Sequence, residues 1–147
     1  MSYVLSVDKI LIVGMNPSKS RAVYNGSALS RLRKWTTELD LQFFTFINLS
    51  NDMNWDRKFD TIDKDFVCTS VEECDIIIAL GTMVSAYLKR LGYKEHFVLP
   101  HPSPLNRQIN DQQYIDMKLS ECRRYINANS NSYSRKNGQA DYVQQSA

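Results

Sequence analysis

The chain has 147 residues, enough for one domain around one hydrophobic core. Hydrophobic residues make up 43% and charged residues 23%, as is typical of a globular protein. The net charge of +2 is mildly basic, so it permits a phosphate-bearing partner without requiring one.

The cysteines and the apolar segments indicate that the chain is not a disulfide-rich, metal-binding, secreted or membrane protein. Cys68, Cys74 and Cys122 form no C-x-x-C pair, and only two histidines accompany them, so neither a disulfide framework nor a metal site is indicated. The N-terminal apolar run contains Asp8 and Lys9, unlike a signal peptide. No apolar stretch approaches the roughly 18–20 residues of a membrane helix. We therefore expect a cytoplasmic or nucleoid-associated monomer with free thiols and without a metal, a cofactor or a membrane contact.

Apolar runs along the chain predict four short strands. They lie at Lys9–Val13, Phe43–Ile47, Asp75–Leu80 and Phe97–Leu99. Each run is short, is rich in β-branched or aromatic residues, and ends in a polar residue, glycine or proline, which favours a strand over a helix.

Helical spacing predicts helices between and after these strands. The first begins at Ala28 after a cap at Ser27, with an apolar face formed by Leu29, Leu32, Trp35 and Leu39. A weaker signal covers Asp63–Val71, Thr82 is predicted to cap a helix that Gly92 ends, and Asp111 is predicted to cap the last. We expect a domain over residues 1–127 and a disordered polar tail over residues 128–147.

Strands that alternate with helices predict a three-layer α/β/α fold with a short four-stranded, mostly parallel sheet. Ligands of such sheets bind at the carboxyl ends of the strands. Asn16, Asn48, Gly81 and His101 each follow one predicted strand. The topology therefore predicts a pocket formed by Asn16, Asn48 and His101.

Two motifs at these strand ends resemble those of a known family. The run IVGMNP at residues 12–17 resembles the first motif of the uracil-DNA glycosylase superfamily, in the form found in its single-strand-selective monofunctional branch. The run LPHPSPLN at residues 99–106 resembles the second motif, and Asn48 ends a strand where the family has a uracil-reading asparagine. The resemblance covers roughly residues 9–127 and implies a uracil-DNA glycosylase-like fold.

The implied chemistry is hydrolysis of an N-glycosidic bond. Negative charge develops on the departing base, and His101, as a neutral imidazole, could donate a hydrogen bond to it. Asn16 could orient a water toward the electrophilic sugar carbon, and Asn48 could distinguish uracil from cytosine by its donor and acceptor. Gly14 and Met15 complete the predicted base-binding set together with a stacking aromatic, Tyr24.

The predicted partner is DNA, single- or double-stranded, with the target base flipped out of the stack. Leu105 would fill the space that the base leaves. Ser18, Ser103 and Arg107 would contact the phosphates. Ser18 is small, which suggests that substituents at C5 of the pyrimidine are tolerated.

These residues predict a monofunctional DNA glycosylase for uracil or a 5-substituted uracil. Two alternatives stay open. One is a catalytically weak binding module for a modified base or nucleotide, and the other is a hydrolase of free pyrimidine nucleotides.

Overall fold

The computed structural model describes residues 8–17, 28–103 and 106–130. Its strands are β1 (Ile10–Gly14), β2 (Thr45–Asn48), β3 (Ile76–Leu80) and β4 (Phe97–Leu99). Its helices are α1 (Ala28–Glu38), α2 (Lys64–Glu72), α3 (Thr82–Arg90) and α4 (Gln112–Asn129), with 3₁₀ turns at Phe59–Thr61 and Arg107–Asn110. The strands are all parallel, in the order β2-β1-β3-β4. The predicted α/β fold with a four-stranded sheet is therefore confirmed.

The two faces of the sheet pack against different helices. In β1, Ile10 and Ile12 join the core under α1 and α4, whereas Leu11 and Val13 join the core under α2 and α3. Burial on both faces explains why the strands form unbroken apolar runs in the sequence, since parallel sheets are covered on both sides. Each fully buried aliphatic side chain contributes about 1.5–3 kcal/mol.

The second strand begins later than predicted. Its first pair joins Thr45 to Leu11, and Phe43 and Phe44 precede it. Phe43 is 72% exposed. β2 is an edge strand with one neighbour, so its start is decided by where pairing with β1 begins and not by aromatic content.

Two details of the helix predictions are wrong. Gly81, not Thr82, occupies the cap position of α3, and its φ of 98° favours glycine there. Leu29 is 40% exposed, although Leu32 and Trp35 of the same predicted face are buried. Leu29 lies in the first turn of α1.

The last helix has the predicted start and a later end. The Asp111 side chain accepts a hydrogen bond from the Tyr114 N–H at 3.2 Å, as a helix cap does. α4 continues to Asn129, two residues beyond the predicted domain boundary, and residues 131–147 of the predicted tail lie outside the described residues. Within the described ranges, no helix is long and apolar enough to span a bilayer.

Candidate functional site

The three predicted pocket residues lie along the carboxyl edge of the sheet. Asn48 ends β2, Asn16 follows the adjacent β1, and His101 follows β4 at the other side. Neighbouring strands lie about 4.8 Å apart, so the ends of β2 and β4 are about 14 Å apart. Asn48 and His101 therefore lie on opposite sides of the ends of β1 and β3.

Asn48 lies directly against Gly14 of the neighbouring strand. The two residues are paired in the sheet register. A Cβ on Gly14 would stand 2.8 Å from the Asn48 Oδ1 and 3.0 Å from the tip of the Phe46 ring. Glycine at position 14 thus leaves room for this close approach, and its φ does not lie in the left-handed region.

The Asn48 amide has no hydrogen-bond partner among the described residues. An asparagine at a strand end ordinarily bonds nearby backbone groups and so closes a local turn. Asn48 is half-buried, and its amide keeps donor and acceptor available. This side chain is therefore able to bind a ligand that offers a complementary pair.

Asn16 is held by the loop that follows β2. Its Nδ2 donates to the backbone carbonyls of Asp52 at 3.0 Å and Met53 at 3.3 Å. Carbonyl oxygens only accept hydrogen bonds, so these contacts determine which end of the amide faces the loop. The Asn16 Oδ1 is left as an acceptor, able to receive a hydrogen bond from water.

His101 is a hydrogen-bond donor at Nε2. The backbone N–H of Ser103 donates to its Nδ1 at 3.1 Å, so the proton of the neutral ring lies on Nε2. Burial lowers the pKa of His101 below its ordinary value of 6.5, and the nearby charge of Arg57 lowers it further. The ring packs against Gly81, where a Cβ would approach the His101 Cβ to 3.2 Å.

Asn106 closes the loop that carries His101. Its Nδ2 donates to the His101 carbonyl oxygen at 2.9 Å, and its backbone N–H donates to the Ser103 carbonyl oxygen at 2.9 Å. Its Oδ1 accepts from the Gln108 N–H at 3.2 Å. The sequence analysis assigned Asn106 no role, although its position at the end of the second motif was a usable signal.

Arg57 is a second residue that the sequence analysis missed. It belongs to the polar loop between β2 and α2, and its charge acts on His101. Its φ is 63°, a conformation that costs a non-glycine residue about 1 kcal/mol or more. The Tyr87 hydroxyl donates to its carbonyl oxygen. The position of this loop after a strand's carboxyl end was the only sequence signal.

The other predicted site residues divide into three groups. The Met15 side chain is buried in the core under α2 and α3, so its part in a site is limited to its main chain, whose carbonyl accepts from the Ser50 N–H. Ser103 is half-buried beside His101, and Arg107 is exposed on the 3₁₀ turn. The remaining three, Ser18, Tyr24 and Leu105, lie outside the described residues.

Two clefts accompany the sheet, and the larger one is not at this edge. A cleft of about 730 Å³ lies at the amino end of the strands, beside Phe43 and Cys74, and contains none of the predicted site residues. A cleft of about 640 Å³ contains His101 and Asn106. Among these, we favour the second, because its lining includes a histidine with an available donor.

A separate imidazole–hydroxyl pair lies beneath this second cleft. His96 Nδ1 is 3.1 Å from the Tyr93 carbonyl oxygen, to which it donates, so Nε2 accepts from the Ser85 hydroxyl at 2.7 Å. Ser85 is 4% exposed. The pair therefore attaches the segment after α3 to the helix.

No protein-family model, curated protein or solved structure matches the chain. Within the described ranges, no three potential metal ligands cluster. The chemistry that the carboxyl edge of the sheet supports therefore follows from its hydrogen-bonding groups.

Proposed function

We propose that the chain is a monofunctional DNA glycosylase that hydrolyses the N-glycosidic bond of uracil or a 5-substituted uracil in DNA, as in base excision repair. The observation that carries the proposal is the amide of Asn48, which lies against Gly14 at the carboxyl edge and has no hydrogen-bond partner in the described part of the chain. In the orientation in which the Asn48 Oδ1 accepts from the N3–H of the base and its Nδ2 donates to the base carbonyl, the amide matches uracil and mismatches cytosine.

His101 stabilises the departing base. When the bond between base and sugar breaks, its electron pair moves onto the base, and negative charge develops at a carbonyl oxygen. The Nε2–H of a neutral imidazole donates to that oxygen, as donors of an oxyanion hole do. The lowered pKa supports this role, because the ring stays neutral at physiological pH and already carries its proton on Nε2.

Asn16 orients the water. Both N–H groups of its amide are engaged by the carbonyls of Asp52 and Met53, so its Oδ1 accepts a hydrogen bond from water. The oxygen lone pair of that water then attacks the sugar carbon, which has become electrophilic as the base departs. The new C–O bond replaces the C–N bond, and a water proton passes to solvent or to the released base.

The test is incubation of the protein with uracil-containing single- and double-stranded DNA, followed by alkaline cleavage of abasic sites. We expect strand breaks only after alkali. His101→Ala should lower the rate by about 10²–10³-fold. Asn16→Ala should lower it by about 10²-fold, because the water loses its orientation. Parallel reactions with 5-hydroxymethyluracil DNA test the tolerance at C5.

Three other outcomes contradict the proposal. Wild-type protein that binds the DNA without cleaving it indicates the binding module instead. Cleavage of free pyrimidine nucleotides, without cleavage of oligomers, indicates the nucleotide hydrolase. Unchanged rates in both variants remove His101 and Asn16 from the mechanism.

A further inference from the structure

A groove runs along the outer edge of β4 and starts at His101. One wall is formed by α3, and the other by α4 and the Arg107–Asn110 turn, and the enclosed volume is about 640 Å³. β4 is the last strand of the sheet, so in the described part of the chain no strand covers its outer side. The groove therefore has a strand edge as its floor and helices as its sides.

The floor offers main-chain hydrogen-bonding groups. The Leu99 carbonyl oxygen accepts from the Gly81 N–H at 2.7 Å, so Leu99 directs its main-chain groups toward β3. Successive residues of a strand alternate in this direction, and the N–H and C=O of Val98 consequently face the groove. A ligand in the groove meets one donor and one acceptor at this point.

The charge of the groove is positive. Lys89 of α3 and Lys118 of α4 line it, and none of its described lining residues is Asp or Glu. The Lys118 ammonium lies 3.2 Å from Glu121 in a pair whose side chains are 29% and 36% exposed. That pair is solvated, and within the described ranges no acidic side chain pairs with Lys89. Tyr114 adds an aromatic ring to the wall.

We propose that this groove binds the sugar–phosphate backbone of the single DNA strand next to the target nucleotide, with Lys89 and Lys118 at phosphates. The inference rests on the proposed function, which puts the target base at His101. Walls on both sides of the β4 edge fit one strand. Phosphates are the ligands that Lys89 favours, and Lys118 can exchange its solvated contact with Glu121 for a phosphate. An aromatic ring beside the path suits stacking of a base.

The test is binding of a fluorescein-labelled single-stranded DNA that contains no uracil, measured by anisotropy at several salt concentrations. Lys89→Gln and Lys118→Gln should each reduce the slope of log affinity against log salt by about 0.7, and the double variant by about 1.4. Lys94→Gln is the matched control, because Lys94 is exposed just after α3 and lies outside the groove. It should leave the slope of the wild type almost unchanged. Thermal unfolding verifies that each variant is folded.

Failure of this proposal is distinguishable from failure of the proposed function. Salt slopes that are equal in the wild type and in the Lys89→Gln and Lys118→Gln variants contradict backbone binding in the groove, even if uracil DNA is cleaved. A mononucleotide that competes as well as the oligomer, at equal phosphate concentration, also overturns it in favour of a free-phosphate site. If the lysine variants show reduced salt slopes but the wild-type protein cleaves no uracil DNA, backbone binding in the groove is supported and the proposed glycosylase activity is contradicted.

Discussion

At the residue scale, Asn48 can lie at the carboxyl edge only because position 14 of the neighbouring strand has no side chain. The unengaged amide is half-buried, and a half-buried polar group without a partner is unfavourable unless water or a ligand satisfies it. Gly14 and Asn48 are thus in direct contact, although 34 positions separate their numbers in the sequence.

Gly14→Ala should displace the Asn48 amide and impair base selection. The atoms that must move are the tip of Asn48 and the tip of the Phe46 ring, so the free energy of unfolding should fall by only about 1 kcal/mol. Discrimination of uracil over cytosine should fall by about 10- to 100-fold, because the base loses its hydrogen-bond partner. Cleavage rates on matched uracil and cytosine oligomers measure this change.

Gly92→Ala is the control for this substitution. A Cβ there meets nothing within 4 Å, but the φ of 100° strains any other residue. It should therefore lower stability without changing base selection.

Asn48→Asp, which replaces the donor with an acceptor, should shift preference toward cytosine. Unaltered selection in both Gly14→Ala and Asn48→Asp would show that Asn48 does not contact the base.

At the element scale, contacts from Ser103 and Asn106 hold His101 in place. The Ser103 N–H selects the ring's tautomer, and Asn106 holds the His101 carbonyl by its side chain. Under the proposed function, these contacts reduce the reorganisation that the reaction requires, because the donor is in place before charge develops. Asn106 is thus a positioning residue for His101.

Asn106→Asp isolates the positioning contact. The carboxylate can still accept from the Gln108 N–H, but it loses the donor to His101 and faces the carbonyl oxygen with a negative charge. We expect kcat to fall by about 10- to 100-fold with a smaller change in KM. The pKa of His101, followed by NMR, should rise toward its ordinary value of 6.5.

Asn110→Asp makes the same chemical change at the exposed end of the adjacent 3₁₀ turn. It should leave kcat and the His101 titration as in the wild type. If the two variants lose equal amounts of thermal stability and neither changes kcat or the titration, Asn106 is merely structural.

At the scale of the whole molecule, both histidines titrate below their ordinary value of 6.5. Burial is the main cause in each. Arg57 adds to it at His101, whereas at His96 Lys89 lowers the pKa and the Tyr93 carbonyl and Glu95 oppose the shift. The native protein therefore binds fewer protons than the unfolded chain just below pH 6.5.

Stability should consequently depend on pH in a defined window. The contribution of the neutral imidazoles is complete above the unfolded-state value of 6.5 and is lost as the pH falls from there toward the native pKa values. Urea unfolding between about pH 5 and about pH 7.5 should give a free energy that increases with pH. The double variant His96→Gln, His101→Gln should flatten that dependence.

Asp56→Asn is the contrast for the pH experiment. The Thr61 hydroxyl lowers the pKa of this exposed carboxyl below 3.8, so its effect belongs to the acid region. It should leave the slope between about pH 5 and about pH 7.5 unchanged. An increase in stability toward pH 5 in the wild type would contradict the assignment of both histidines as neutral.

The sequence by itself predicted the sheet and one edge of it as the candidate site. Uninterrupted runs such as Ile76–Leu80 indicate burial on both faces, and strand–helix alternation leaves few topologies. The polar residues after three of the four strands, Asn16, Asn48 and His101, then share an edge for geometric reasons alone. The sheet and its candidate edge could be predicted because hydrophobic periodicity and strand ends are local properties of the sequence.

Only the tertiary structure decided how those residues are used. The loop after β2 orients the Asn16 amide, Gly14 leaves room for the Asn48 side chain, and the charge of Arg57 acts on His101. Each effect joins segments that are distant in the chain, and no local pattern records which donor meets which acceptor. The start of β2 and the exposure of Leu29 differed from prediction for the same reason, since pairing and coverage depend on neighbours that folding supplies.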